Sequence, residues 1–225
     1  MPYRRRFDAV IFDLDGTLIE TAPDLCAALN HTLAVAGRPA VPLAGVREMI
    51  GNGARAMLHL GLAATGPEPT EEEVEGWIDT FLDYYWQHVA DESHAFPGAA
   101  AALDELRAAG LKLGVCTNKP ERPSRHLFEL LALEHHFAAI VGGDSLPVKK
   151  PHGGHLLGTL DAMAVAPERA VMVGDSANDV DAARAAGLPV VAVTFGYTTV
   201  PAHELGADRV IGHFDELIGA LNALA

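Results

Sequence analysis

The chain has 225 residues, is 49% hydrophobic and 20% charged, and carries 16 Lys and Arg against 30 Asp and Glu, for a formal net charge of -14. That composition is globular rather than disordered, and the length suffices for one sizeable core with a smaller second unit. The negative charge argues against a broad nucleic-acid surface, so an anionic ligand would have to be held by local cations acting against the overall field.

Taken in chain order, the first strand is expected over residues 8–14, an apolar run that ends in Asp13-Leu14-Asp15-Gly16-Thr17. The basic triplet Arg4-Arg5-Arg6 before it reads as a solvated terminus. Asp13 interrupts the following apolar stretch too early for a signal-peptide core. From about Thr21 to Ser93 only helical pattern is visible. One helix starts at Thr21 and ends at Gly37, and a second spans about 53–62. A third follows a capping box at Thr70-Glu-Glu-Glu73 and carries Trp77, Phe81, Tyr84 and Tyr85 as its core face. Beyond residue 97 strands and helices alternate. Helices are expected at 97–109, 123–131 and 177–186, and strands at 111–116, 138–141, 170–173, 190–193 and, more weakly, 209–211. His135-His136 reads as an exposed loop. The strands are short, β-branched and nearly continuous, as in sheets buried on both faces.

The fold class is therefore α/β: a Rossmann-like doubly wound parallel sheet with an inserted helical cap. The expected domains are 1–20 with 94–225 as the core, and 21–93 as the cap. No apolar stretch approaches the ~20 residues of a membrane span. Cys26 and Cys116 are expected as reduced, partly buried small hydrophobes, and a cytoplasmic chain is the simplest reading.

Four polar clusters follow apolar runs: Asp13 and Asp15; Thr117-Asn118-Lys119; Lys149-Lys150; and Gly174-Asp175-Ser176 with Asp179. In an open parallel sheet such strand ends share one edge, where ligands bind. Carboxylates at that density would raise one another's pKa values, a conflict that a hard divalent cation such as Mg²⁺ removes. Asp13 and Asp15, two apart on a strand, could both face one reacting centre, one attacking and the other moving protons. Gly16 would let the chain turn, and Thr17 could hold the turn by a local hydrogen bond.

Asp13-Leu-Asp-Gly-Thr17, Val115-Cys-Thr-Asn-Lys119, Lys150-Pro151 and Gly174-Asp-Ser-Ala-Asn-Asp179, in that order and with a helical insert after the first, resemble the haloacid dehalogenase superfamily of phosphohydrolases. Within it the likeness is to the phosphoglycolate phosphatases. It continues through residues 180–187 and 194–197 and touches the insert at Gly51-Asn-Gly-Ala-Arg55. The resemblance implies an Mg²⁺-dependent phosphatase acting on a small phosphorylated metabolite, 2-phosphoglycolate first, through an aspartyl-phosphate. It implies Asp13 as nucleophile and Asp15 as acid and base. Asp13, the backbone carbonyl of Asp15, and Asp175 would hold the metal, with Asp179 supporting its water shell. Thr117 and Asn118 would hold phosphoryl oxygens and Lys150 would neutralise them. The chain departs from the usual Lys-Pro-x-Pro: glycine stands at 153, which puts the stiffness of the Lys150 loop in question.

Several residues keep two readings. Lys149 competes with Lys150, and Lys119 either meets substrate or stands in solvent. His152 and His155 as metal ligands are a weak reading beside aspartates that suffice for Mg²⁺. The segment 51–55 either reads a substrate carboxylate through free helical N–H groups and Arg55, or is an ordinary helix start. A sugar-phosphate mutase, a sugar phosphatase or a pyrophosphatase would share the core. Phosphonate cleavage in relatives uses a lid lysine, and residues 21–93 contain none. Dehalogenation does without an acid at the position of Asp15. A phosphoryl-accepting receiver domain would use similar residue types in another order and without the insert. Neither nucleic acid nor membrane is expected as a partner, and the protein is expected as a monomer or homodimer.

Overall fold

Alternation along each apolar run sends its side chains to opposite faces of one sheet, and both faces are covered. In the computed structural model, which describes residue 3 and residues 6–224, the chain begins with β1 (Ala9–Phe12) and β2 (Ile19–Glu20). Four helices follow: α1 (Ala22–Val35), α2 (Leu43–Arg47), α3 (Ala54–Thr65) and α4 (Glu71–Gln87). The chain returns through β3 (His94–Ala95) to α5 (Ala99–Ala108), β4 (Lys112–Cys116), α6 (Glu121–Leu130) and β5 (Ala139–Val141). It continues with α7 (Gly153–Met163), β6 (Ala170–Gly174), α8 (Ala177–Ala186), β7 (Val190–Val193), β8 (Arg209–Ile211) and α9 (Leu217–Ala223).

Six strands form a parallel sheet in the order β5-β4-β1-β6-β7-β8. Ile11 in the central strand lies opposite Gly114 on one side and Met172 on the other. Strand order reverses at β1, so the crevice beyond the carboxyl ends of β1, β4 and β6 is the topological switch point. Val10 and Phe12 join one apolar cluster with Leu103, Leu106 and Phe214, while Ala9 and Ile11 join a second with Leu156, Leu160 and Val180. The first cluster runs on into the helical excursion through Leu25, Leu29, Met57, Leu58 and Phe81.

All six strands expected from the sequence lie in this sheet. Thr70 accepts the Glu73 N–H at 3.2 Å, as the capping box requires, and Gly187 ends α8 with φ of 72°. Four features were not anticipated. α2 is only five residues long, α7 hides behind three glycines, α9 lies near the C-terminus, and β2 and β3 contribute two residues each. The expectation for His135-His136 needs correction. A 3₁₀ turn over Glu134–His136 folds the second ring inward, where His136 is buried between the Leu133 carbonyl and Asp104 Oδ1, each at 3.0 Å. Arg4 and Arg5 lie outside the described residues, and Arg6 is exposed.

The excursion leaves and re-enters side by side. Glu20 pairs with His94 and Ile19 with Ala95 in an antiparallel ladder. The buried Asp24 carboxylate accepts N–H groups of Glu92 and Ser93 and the Ser93 hydroxyl, the last at 2.6 Å. On the outgoing side, the Tyr197 hydroxyl accepts the N–H of Thr21 at 2.7 Å and of Ala22 at 3.0 Å, and donates to Glu20. Among the described residues no helix is long and apolar enough to cross a membrane.

Candidate active site

Asp13 follows β1, Thr117 follows β4 and Asp175 follows β6, so three neighbouring strands deliver them to one edge. One carboxylate oxygen each of Asp13, Asp175 and Asp179 lie within 4.8 Å of one another, all buried. Lys150 Nζ sits between two of these acids, 2.8 Å from Asp13 Oδ1 and 2.6 Å from Asp179 Oδ1. Burial opposes the charged form of Lys150, but Asp13 and Asp179 more than offset it and its pKa is raised. Burial pushes the Asp13 carboxyl up to about 7, with Lys150 pulling the other way and Asp179 adding to the rise. Asp175 is raised well above the ordinary carboxylate value, by burial first and then by Asp179 and Asp13. One lysine does not neutralise three acids. The donor set is all carboxylate oxygen and compact. Opposed ligands about 2.1 Å from one ion span roughly 4.2 Å, so small side-chain shifts would fit Mg²⁺.

Close backbone packing sets these acids in place. Asp179 is the N3 residue of α8. Its Oδ2 accepts the N–H of Asp175 at 3.2 Å, the N–H of Ser176 at 3.0 Å and the Ser176 hydroxyl at 2.8 Å. That tuck is possible because Gly174 has no side chain: a Cβ there would overlap the Asp179 carboxylate, as one at Gly196 would overlap Asp175. Gly174→Ala is therefore expected to destabilise the protein by about 1–3 kcal/mol, the scale of overpacking a filled site. For a chain of this size that is a fall of about 3–10 °C in Tm, checked by thermal unfolding. Gly16 turns the chain at φ of 81°, as expected. Thr17 differs from expectation. Its backbone N–H closes the turn on the Leu14 carbonyl, while its hydroxyl reaches across to Asp175 Oδ1 at 3.4 Å, because the turn points it at β6.

The structure brings Lys150, not Lys149, into the cluster. Lys149 is exposed and donates to the Asn52 carbonyl. Gly153 does not loosen the Lys150 loop. It opens α7, and a Cβ there would lie 2.7 Å from the Ala185 carbonyl carbon and 2.8 Å from the Ala186 nitrogen, so the missing side chain lets α7 approach α8. The loop is fixed by His155 and Asn118. His155, fully buried, accepts the Lys150 N–H on Nδ1 at 3.2 Å and faces the Gly142 carbonyl with Nε2 at 3.0 Å. This arrangement needs the neutral ring protonated on Nε2, and burial holds the His155 pKa below its ordinary value. His155 is thus an internal brace, placed away from the three-carboxylate group. His152 instead caps α7, accepting the Gly154 N–H at 3.0 Å. The Asn118 amide donates to the carbonyls of Lys150 and Gly51, both at 3.0 Å, while its buried Oδ1 has no hydrogen-bond partner among the described residues. Its two donors are thus committed to backbone rather than directed at an anion. The Thr117 hydroxyl accepts the Lys119 N–H at 3.2 Å and keeps its own proton to donate.

Asp13, Asp15, Thr117 and Asn118 line a pocket whose other wall comes from the excursion, through Leu25, Ile50, Gly51, Gly53, Ala54, Met57, Phe81, Leu82 and Tyr85. Asp15 turns away from the three-carboxylate group. Its Oδ1 accepts the Thr21 hydroxyl at 2.7 Å and the Lys119 ammonium at 3.2 Å. Lys119 is not in solvent: it is 6% exposed and lies 4.4 Å from the centroid of the Tyr85 ring. Burial works against its charge, Asp15 and Tyr85 outweigh burial, and its pKa is raised. Arg55 stands outside the pocket, with its side chain 54% exposed and ion-paired to Glu75. One helical step past Ala54, it has rotated off the lining face. Thr21, Tyr85 and Tyr197 were not marked as site residues by the sequence, and His155 was weighed there only as a weak metal ligand. Thr21 read as a helix start and Tyr85 as a core aromatic; the helical spacing that placed Tyr85 inward was the available signal.

Comparison with known proteins agrees with this geometry. The family described as haloacid dehalogenase-like hydrolase matches residues 10–193. A phosphoglycolate phosphatase of Caulobacter vibrioides is 47% identical over 205 residues, covering 91% of this chain and 86% of the relative. One of Agrobacterium fabrum is 44% identical, covering 94% and 91%. The crystal structure of a predicted phosphoglycolate phosphatase from Haemophilus somnus superposes with a TM-score of 0.90 at 31% identity, covering 95% of this chain and 97% of that one. With its sheet order, its clustered carboxylates and these relatives, the chain belongs to the haloacid dehalogenase-like hydrolases, as a phosphoric monoester hydrolase.

Proposed function

We propose that the protein is an Mg²⁺-dependent phosphatase that hydrolyses 2-phosphoglycolate through an aspartyl-phosphate on Asp13. The observation that carries this is the set of three buried carboxylates with Lys150 beside them, at the carboxyl edge of β1, β4 and β6. The names of the relatives supply the substrate.

Asp13 attacks phosphorus, and the Lys150 ammonium beside it faces charge on the phosphoryl oxygens. Thr117 donates its free hydroxyl proton to one of those oxygens. Asp15 gives a proton to the leaving alkoxide, then takes one from the water that attacks the acyl phosphate. Thr21 and Lys119 fix its carboxylate for both tasks. Asp13, Asp175 and the Asp15 carbonyl would hold Mg²⁺, with Asp179 behind them; when bound, the ion supplies positive charge against the phosphoryl oxygens during transfer. Residues 21–93 act as a cap that closes the pocket and excludes bulk water, with the β2–β3 pair as its root.

A panel of phosphate esters tests this. With Mg²⁺, kcat/KM for 2-phosphoglycolate is expected to exceed that for hexose phosphates, glycerol phosphate and pyrophosphate by about 10²-fold, and chelator is expected to abolish turnover. Turnover indifferent to chelation, or a preference for sugar phosphates, would overturn the proposal.

Stability supplies an independent check. The folded pKa of Asp13 stands at about 7 against an ordinary 3.8. The native state therefore binds protons more tightly than the unfolded chain. In chelator, this contribution is complete below about pH 4 and is lost as pH rises through about 7. Mg²⁺ at about 100 times its Kd should add about 2.7 kcal/mol, or about 5–10 °C in Tm, at pH 8. The gain should shrink in Asp175→Asn. An equal gain in wild type and variant would remove Asp175 from the metal site.

A further inference from the structure

The pocket holds a cation with more donors than its work on Asp15 uses, and a buried hydroxyl that hydrolysis of a plain phosphate ester does not require. Lys119 is buried beside Asp15, and its three-donor ammonium meets a single carboxylate, Asp15 Oδ1. Packed against this ammonium, with its ring centroid 4.4 Å from Nζ, is Tyr85 on α4. It is 3% exposed, and its buried hydroxyl has the Lys119 ammonium as polar company but makes no well-aligned hydrogen bond among the described residues. A buried hydroxyl without a well-aligned partner costs stability, so its presence beside a lining cation points to a ligand atom that completes it. The rest of that wall is apolar: Leu25, Ile50, Met57, Phe81 and Leu82.

Bond geometry places a particular group there. A general acid must come within about 2.6–3.2 Å of the leaving oxygen. In an ester of a 2-hydroxy acid the carboxyl carbon is two bonds beyond that oxygen. Lys119 Nζ lies 3.2 Å from Asp15 Oδ1 and lines the same pocket, which puts it within reach of a carboxylate two bonds beyond the leaving oxygen. Gly53 and Ala54, at the positive end of α3, line the same space. We infer that Lys119 from the core and Tyr85 from the cap together form the carboxylate-binding subsite for the leaving group, in place of Arg55, and so select phosphate esters of short 2-hydroxy acids.

The assignment rests on the proposed substrate, so the experiment separates the two. Phosphoglycolate is compared with ethyl phosphate, which keeps the two-carbon chain and lacks the carboxylate. Wild type is expected to prefer phosphoglycolate by about 10²-fold or more in kcat/KM. Lys119→Met also frees Asp15 and should slow both esters, but it should cut the preference to below about 5-fold. Lys119→Arg, which restores the charge, should recover most of it. Tyr85→Phe, which removes only the hydroxyl oxygen, should lower the preference about 5-fold, and is the decisive variant should Lys119→Met fail to fold. A wild-type preference that survives undiminished in Lys119→Met, or in Tyr85→Phe if that variant must decide, overturns the subsite and leaves the proposed substrate standing. A wild type without any preference overturns both.

Discussion

Asp13→Asn is expected to reduce phosphate release at least about 10⁴-fold while leaving the fold intact. The amide is not a nucleophile toward phosphorus, and no other described carboxylate takes its place: Asp175 and Asp179 are engaged by Thr17, Tyr197, Ser176 and Lys150. The fold should tolerate the change because burial already favours the neutral form of Asp13, raised to about 7. Lys150 also keeps Asp179 at 2.6 Å, so its buried charge is not stranded. Phosphate release and thermal unfolding, measured on the same preparation in chelator and in Mg²⁺, check both halves. Activity above about 1% of wild type with an unshifted Tm would show that another group attacks.

Asp15→Asn should slow turnover of phosphoglycolate by about 10²–10⁴-fold, the range for loss of a positioned acid and base. Its signature lies in the leaving group. An alkoxide needs a proton as the P–O bond breaks, whereas a nitrophenolate does not. With p-nitrophenyl phosphate the first step should be nearly spared, and the aspartyl-phosphate should accumulate because the second step still lacks its base. A burst of nitrophenol stoichiometric with enzyme, seen in rapid mixing, is the expected result. Equal slowing of both esters without a burst would mean that Asp15 only shapes the site. Thr21 and Lys119 would then owe their contacts with it to structure alone.

How much of this was legible in the chain depends on how far each cause reaches. Asp13 and Asp175 could be placed because each ends a short apolar run, and parallel strands bring such ends to one edge. Asp179 was legible for the same reason, three residues into the helix that follows. Lys150 was separated from Lys149 only by its neighbouring proline, and the structure shows the difference as burial against exposure. Thr17 and Arg55 were placed by local geometry and their partners were not. The hydroxyl of Thr17 finds Asp175, 158 residues away, and Arg55 lies one helical step off the pocket. Tyr85 and Tyr197 owe their importance to residues brought near by the fold, and no short window of sequence contains both partners; His155 stands only five residues from Lys150, but the burial that turns its ring back onto that backbone is not written in the spacing. The glycine at 153 illustrates the limit. Read along the chain it implies freedom, whereas read across to Ala185 it implies contact.

The short ladder of Glu20 with His94 carries an evolutionary consequence. Because outgoing and returning backbones are already neighbours, the sheet's register is indifferent to what is spliced between them. Insertions or deletions within the helices between Thr21 and Ser93 leave untouched the strand ends and loop that deliver Asp13, Asp175 and Lys150. Such changes would alter Tyr85 and the apolar wall opposite them. A lineage can in this way conserve its bond-breaking apparatus while trading one clientele of metabolites for another.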